Sequence, residues 1–155
     1  MNVCETLKGK VASLPKEHVE LMYLYGSHAR GQATPISDVD VAVWLEEAMA
    51  EDYRLVLEVL DELGEAAARL LGVERDRVDV KDLNSMPIEA QYRVIRDGKV
   101  LWAKDRLIKQ IYESTAMSYY WDWQYHADIY RAAVMRRIKE GRFGSRPQIS
   151  LGPSS

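Results

Sequence analysis

The sequence predicts an α/β protein, in the looser α+β sense: a small mixed β-sheet with helices packed on it and a long helix towards the C-terminal end. Two observations predict it. Short apolar runs with period-two alternation recur between longer segments whose apolar residues fall at helical spacing, and glycine or proline stands at most of the joints. The size agrees. The 155 residues, 47% hydrophobic and 29% charged, suffice for one domain with a real core. There is no internal repeat, so residues 1–140 are read as a single domain with its core over 20–105 and a helical segment over 105–140.

Each element follows from its residues. Val3, Leu7, Val11 and Leu14 sit at helical spacing and predict a helix over 3–19, bent or ended by Pro15. Leu21 to Tyr25 is a compact apolar run closed by Gly26, the pattern of a buried strand. Ser27 to Gln32 is long enough for one or two helical turns, and Thr34-Pro35 is loop. Asp38 to Leu45 alternates: Val39, Val41, Val43 and Leu45 share the core face, and Asp38, Asp40, Ala42 and Trp44 share the other. Residues 50–71 predict a helix with Tyr53, Val56, Leu57, Leu60, Leu63, Ala67 and Leu70 as its apolar stripe and Gly72 as its stop.

Val78 to Leu83 predicts a third strand, with Asp79 opposite in direction to Val78 and Val80. Pro87 opens a helix whose buried edge is Ile88, Tyr92 and Ile95 and which closes at Gly98. Val100-Leu101-Trp102 reads as a short edge strand. Residues 105–140 read as one long helix or a broken pair, with Trp123, Ala127, Tyr130, Val134 and Ile138 on one face. Residues 141–155 hold three Gly, two Pro and four Ser with little to bury, and a flexible tail is expected.

Charge and cysteine content narrow the function classes. A net charge of −3 argues against nucleic acid as the main partner. The single cysteine, Cys4, rules out an internal disulfide and is read as a small apolar residue in a cytoplasmic protein. No apolar stretch approaches a membrane span, and the first residues do not resemble a signal peptide. The oligomeric state is left open, a homo-oligomer included.

The chemistry concentrates between residues 26 and 40. Gly26-Ser27 stands at a strand-to-helix turn, where a missing Cβ lets the backbone approach a phosphate, the free N–H groups and dipole of a helix start attract it and the Ser27 hydroxyl adds a donor, and Arg30 lies one turn on. After ten residues come Asp38 and Asp40, which point the same way about 6–7 Å apart. Two carboxylates that close repel unless a cation lies between them, and an oxygen-only donor set suits Mg²⁺ or Mn²⁺. A third carboxylate on the next strand would complete a two-metal site. Asp79 is the first candidate and Asp82 the second. His18 and His126 have no metal-like partners nearby. His28 lies in the phosphate loop, either touching substrate or facing solvent.

These residues resemble the nucleotidyltransferase superfamily that includes DNA polymerase beta, whose signature is a Gly-Ser turn, then Asp-x-Asp, then a later acidic residue. Within it the match is to the minimal nucleotidyltransferase (MNT) family. It rests on Gly26-Ser27, the ten-residue gap, Ala29-Arg30-Gly31, Ser37 before Asp38-Val39-Asp40, Val78-Asp79-Val80 and Gly98-Lys99-Val100-Leu101, and covers about residues 20–105. The resemblance implies the nucleotidyltransferase fold and transfer of AMP from ATP to a hydroxyl with loss of pyrophosphate. Asp38 and Asp40 would hold two Mg²⁺ ions. Asp79 would share one ion and take the proton, and Gly26, Ser27 and Arg30 would hold the triphosphate. It also implies an antitoxin that places AMP on a tyrosine of a HEPN-family toxin.

Two further features bear on a partner. Tyr119, Tyr120, Trp121, Trp123, Tyr125 and Tyr130 lie on more than one helix face and read either as core against the sheet or as an interface. Arg131, Arg136, Arg137, Lys139 and Arg142 form a basic cluster that reads as a solvated face or as a meeting place for an acidic partner or RNA. No histidine follows an arginine at the spacing of the HEPN ribonucleases, so the chain does not resemble the toxin. Transfer to a small antibiotic-like molecule, and neutralisation by contact alone, stand as the competing readings.

Overall fold

The computed structural model describes residues 2–141. The expected tail lies, from residue 142 on, outside the described residues, as does Arg142 of the basic cluster. The regular elements are α1 (Val3–Gly9), β1 (Val19–Tyr25), β2 (Val39–Leu45), α2 (Tyr53–Leu71), β3 (Val78–Asp82), α3 (Ile88–Asp97), β4 (Lys99–Ala103) and α4 (Arg106–Lys139), joined by short 3₁₀ turns. The four strands form one mixed sheet in the order β3-β2-β1-β4. β1 runs antiparallel to β2 and β4, and β2 runs parallel to β3. A parallel neighbour needs a crossover, and α2 supplies it.

Helices cover both sheet faces. On one, Leu7 of α1 and Val56, Leu63, Ala67 and Leu71 of α2 pack on Met22, Leu24, Val39, Val41 and Val43. On the other, Val94 of α3 and Tyr112 and Ala116 of α4 pack on Leu21, Tyr23 and Ala42. β1 contributes to both clusters, which is why its residues read as a continuous apolar run. Across the second cluster the Tyr23 hydroxyl donates to Glu113 Oε1 at 2.6 Å. Among the described residues no helix is long and apolar enough to cross a membrane.

Four local expectations change. The first helix ends at Gly9 and not near residue 19, because Val19 already pairs with Leu45 as the start of β1. The expected turns of helix at 27–32 are one turn, with the N–H groups of Ala29 and Arg30 both directed at the Gly26 carbonyl. Gly31, at φ 70°, ends it as Gln32 donates back to the Ser27 carbonyl. The expected α2 stripe holds at Val56, Leu63 and Ala67, which are buried, and at Leu60 and Leu70, which are half-buried against the same core, but Tyr53 is 74% and Leu57 48% exposed, while Val59, Gly64, Ala66 and Ala68 are buried as well. Small residues let the helix lie close to β3, and a Cβ on Gly64 would meet the Arg75 guanidinium, which donates to the Val78 carbonyl at 2.6 Å. Pro87 precedes α3 as its N-cap residue, and the most deeply buried α3 side chain is Val94.

The segment after residue 105 is one unbroken helix. Asp105 starts it by accepting from the N–H groups of Leu107 and Ile108 at 2.6 and 3.1 Å. At about 1.5 Å per residue it is about 50 Å long. Its early turns bury Tyr112 and Ala116, whereas Trp123, Tyr130 and Ile138, read as one helix face, are 40%, 50% and 47% exposed. The sheet has only four strands and ends before the helix does.

Leu7 joins α1 to the sheet and is fully buried. Leu7→Ala is expected to lower the unfolding free energy by about 2–5 kcal/mol, read as a lower denaturant midpoint at unchanged slope.

Candidate active site

β-sheet register assembles the site. Tyr25 on β1 lies opposite Asp40 on β2, and Asp40 lies opposite Asp79 on β3. The three therefore form one row across the sheet, on the face that α3 and α4 cover further along. The next row in β2 and β3 is Ala42 and Lys81. Of the predicted carboxylates, the structure brings Asp40 and Asp79 together. Asp38, just before β2, is turned to Arg77, whose Nε lies 3.3 Å from its Oδ1. Asp82 belongs elsewhere: it accepts from the Asn84 N–H at 3.1 Å and caps the turn after β3.

The Asp40 carboxyl is held above the usual carboxylate range, chiefly by burial and then by the Asp79 charge. Lys81 offsets this, Asp38 adds to it, and His28 offsets it again. Asp79 is paired with Lys81, Nζ to Oδ2 3.5 Å. Burial first, then the charges of Asp40 and Asp79, push the Tyr25 hydroxyl far above the ordinary phenol range. That hydroxyl is buried and has no hydrogen-bond partner among the described residues.

Gly26 adopts φ 75°, and a Cβ there would collide with the Asp40 carboxylate. The glycine thus serves two ends, a left-handed turn and space for the acid. Because the turn bonds begin at Ala29, the N–H groups of Ser27 and His28 have no acceptor among the described residues. The phosphate-cradle expectation therefore rests on these amides and the Ser27 hydroxyl, without the dipole of a helix. Arg30 is exposed, and its charge helps to hold the Asp97 carboxyl low, behind the stronger bond from Arg96.

Arg77 was missed by sequence reading and orders the approach to Asp38. Its Nη2 donates to the carbonyls of Pro35 and Ser37 at 3.0 and 3.1 Å. His28 Nε2 lies 3.3 Å from the same Ser37 carbonyl, and the Ser37 hydroxyl accepts from the Thr34 N–H at 2.8 Å. The ten-residue gap is a tied loop. Lys81 and Tyr25 were missed as well, although period-two counting from Asp79 and strand pairing from Asp40 contain both.

Among the described residues no three His, Cys, Asp or Glu side chains form a preassembled metal cage. The donor set nevertheless fits a hard divalent cation. Two acidic oxygen donors are side by side, the Asp40 carboxyl is held up first by burial and then by the Asp79 charge, and a carboxylate-sized space is kept open by Gly26. Mg²⁺ completes such a partial shell with waters and substrate phosphates.

A groove of about 690 Å³ between α3 and α4 is lined by Trp44, Gln91, Tyr112, Tyr119, Trp123 and His126, among others, and by none of Gly26, Ser27, Asp38, Asp40 and Asp79. Trp44 lies four residues along β2 from Asp40, about 13 Å at strand spacing.

The strain on Asp40 has a sign. A carboxyl raised in the folded state costs stability as pH rises from the ordinary value of 3.8 through the folded value, and that cost persists above it. In metal-free protein, Asp40→Asn is expected to unfold at a higher temperature than the parent at pH 7. The difference should vanish below the ordinary carboxylate range, as followed by thermal melts across pH. Gly26→Ala is expected to fold but to lose Mn²⁺ binding, read by titration with the free ion.

Comparison with known proteins places these features in a family. The protein adenylyltransferase MntA of Shewanella oneidensis is 29% identical over 100 residues, which are 61% of this chain and 64% of that protein, so the match spans less than two thirds of the relative. A chain in the crystal structure of a toxin–antitoxin with AMP-PNP superimposes with a TM-score of 0.60 at 26% identity, over 87% of this chain and 99% of that one. A chain in the structure of a tri-AMPylated Shewanella oneidensis HEPN toxin in complex with MNT antitoxin shares the fold, with a TM-score of 0.59 at 22% identity over 85% and 98% of the two chains. Residues 9–107, from before β1 to the start of α4, match the polymerase beta nucleotidyltransferase family, and the chain belongs to it.

Proposed function

We propose that this nucleotidyltransferase is the antitoxin of a toxin–antitoxin pair and transfers AMP from ATP to a tyrosine hydroxyl of a HEPN-type partner protein. The observation that carries the reading is the row of Asp40 and Asp79 in register beside Gly26, whose missing Cβ leaves room for the Asp40 carboxylate. The protein adenylyltransferase relative and the toxin–antitoxin structure with AMP-PNP support the nucleotide and the partner class. The exposed aromatic side chains of α4, with Tyr119 67%, Trp121 54% and Tyr125 64% accessible, support a protein acceptor.

Asp38, Asp40 and Asp79 are the residues that would hold Mg²⁺, two ions in the full arrangement. The metal would supply charge neutralisation of the triphosphate. The Ser27 and His28 amides and the Ser27 hydroxyl hold phosphate oxygens, and Arg30 adds charge at the rim. Asp79 accepts the proton of the incoming hydroxyl. The hydroxyl oxygen bonds to the α-phosphorus, the bond from that phosphorus to the bridging oxygen of the β-phosphate breaks, and pyrophosphate leaves. A partner that brings its own hydroxyl explains why so small a chain needs no closed pocket for a second substrate. The site of action is expected to be the cytoplasm, where ATP is available.

Incubation with labelled ATP, Mg²⁺ and the protein encoded by the adjacent gene is expected to label that protein on tyrosine. Absence of label on it, with transfer to a small hydroxylated molecule instead, would favour the small-molecule reading. The double change Asp38→Asn with Asp40→Asn is expected to abolish transfer and Mn²⁺ binding at unchanged circular dichroism, because it removes charge and not packing. A double variant that still neutralised the partner would make contact alone the means of inhibition.

A further inference from the structure

We propose that Lys81 is a built-in counter-ion of the metal-free site: it pairs with Asp79, a carboxylate that would hold a divalent ion, and on loading it would pass its charge to the triphosphate. The inference rests on the metal and nucleotide reading above and names a positioning residue that the family signature does not contain.

The geometry separates Lys81 from the other cations near the acids. Lys81 follows Asp79 by two residues on β3, so both side chains rise from the same face, and its ammonium lies 3.5 Å from Asp79 Oδ2. Its charge also acts on Asp40, so it serves both members of the acidic pair. Its in-register neighbour on β2 is Ala42, too small to block its stem. Lys81 and Asp79 are 52% and 48% exposed, and among the described residues the ion pair is the only polar contact of the ammonium.

Arg77 behaves differently. It pairs with Asp38 but is also fixed by two backbone carbonyls, so its guanidinium is part of the loop's structure. A flexible ammonium with one screened partner is free to leave; a guanidinium with three partners is not.

Charge balance gives the direction. In the metal-free site Lys81 partly compensates two adjacent carboxylates. A divalent ion compensates them more fully and repels the ammonium. The triphosphate that accompanies the ion brings several negative charges to the same place, and a lysine is a good point-charge partner for them. Lys81 therefore opposes binding of the bare ion and favours binding of the ion with its nucleotide.

The test is a pair of titrations on Lys81→Gln, Lys81→Met and Lys81→Arg, with Mn²⁺ alone followed by its electron paramagnetic resonance and with a non-hydrolysable ATP analogue in the presence of Mg²⁺. The two neutral variants are expected to bind bare Mn²⁺ about two- to five-fold more tightly, the size of a released exposed pair. They are expected to bind the nucleotide about ten-fold or more weakly, the size of a lost charged hydrogen bond. Lys81→Arg is expected to stay close to the parent in both. A residue that only supported the fold would move both affinities in the same direction. Neutral variants with unchanged or weaker Mn²⁺ binding, against a parent that binds Mn²⁺, would overturn the role of Lys81 and leave the site reading intact. A parent that bound neither Mn²⁺ nor nucleotide would overturn both.

Discussion

Repulsion between two acids on neighbouring strands is the constraint around which this site is organised. Asp40 and Asp79 are fixed opposite one another by the pairing of β2 with β3. They cannot move apart without breaking the sheet. The surroundings answer that charge: Lys81 pairs with one acid, His28 and Lys81 act on the other, and the turn that begins at Gly26 makes room for it. Arg77 draws the third acid, Asp38, towards the loop. A sheet carries this load because its hydrogen bonds and two packed faces hold the backbone while the side chains compete.

The connection of the strands makes the juxtaposition available. β1 and β2 form an antiparallel pair, and the α2 crossover brings β3 in beside β2 in parallel. Each acid lies near the start of its strand, so the parallel arrangement sets both at one end of the sheet. There the face is not yet covered by α3 and α4. Further along, the same face is aromatic, with Trp44 against Tyr112 at 4.9 Å between ring centres. Chemistry and core thus share one face, separated along the strand direction.

Local signals made the strands, the central helix and the principal acids legible in the sequence. Alternation in Val39–Leu45 assigned Asp40 and Trp44 to one face, and the structure places Asp40 at the acidic row and Trp44 in the groove of that same face. What could not be read locally depended on distant partners. The burial of Gly64 beneath Arg75 is a contact that a hydrophobic stripe does not encode. The end of the first helix follows from the demand of Leu45 for a partner in Val19. Arg77 and Tyr25 enter the site only once the register is known. The choice between core and interface for the aromatic segment depended on how far the sheet extends beneath α4, a tertiary quantity.

α4 outruns the surface that supports it. Its early turns are anchored by Tyr112 and Ala116, and Tyr120 stacks on Tyr92 at 3.8 Å, but Trp121, Tyr125, Tyr130 and Met135 are exposed. Such an overhang divides the labour of the polypeptide. Substitutions in its outer turns touch neither the acids nor the strands, so recognition can be rewritten by drift at the periphery while the reacting centre is inherited unaltered.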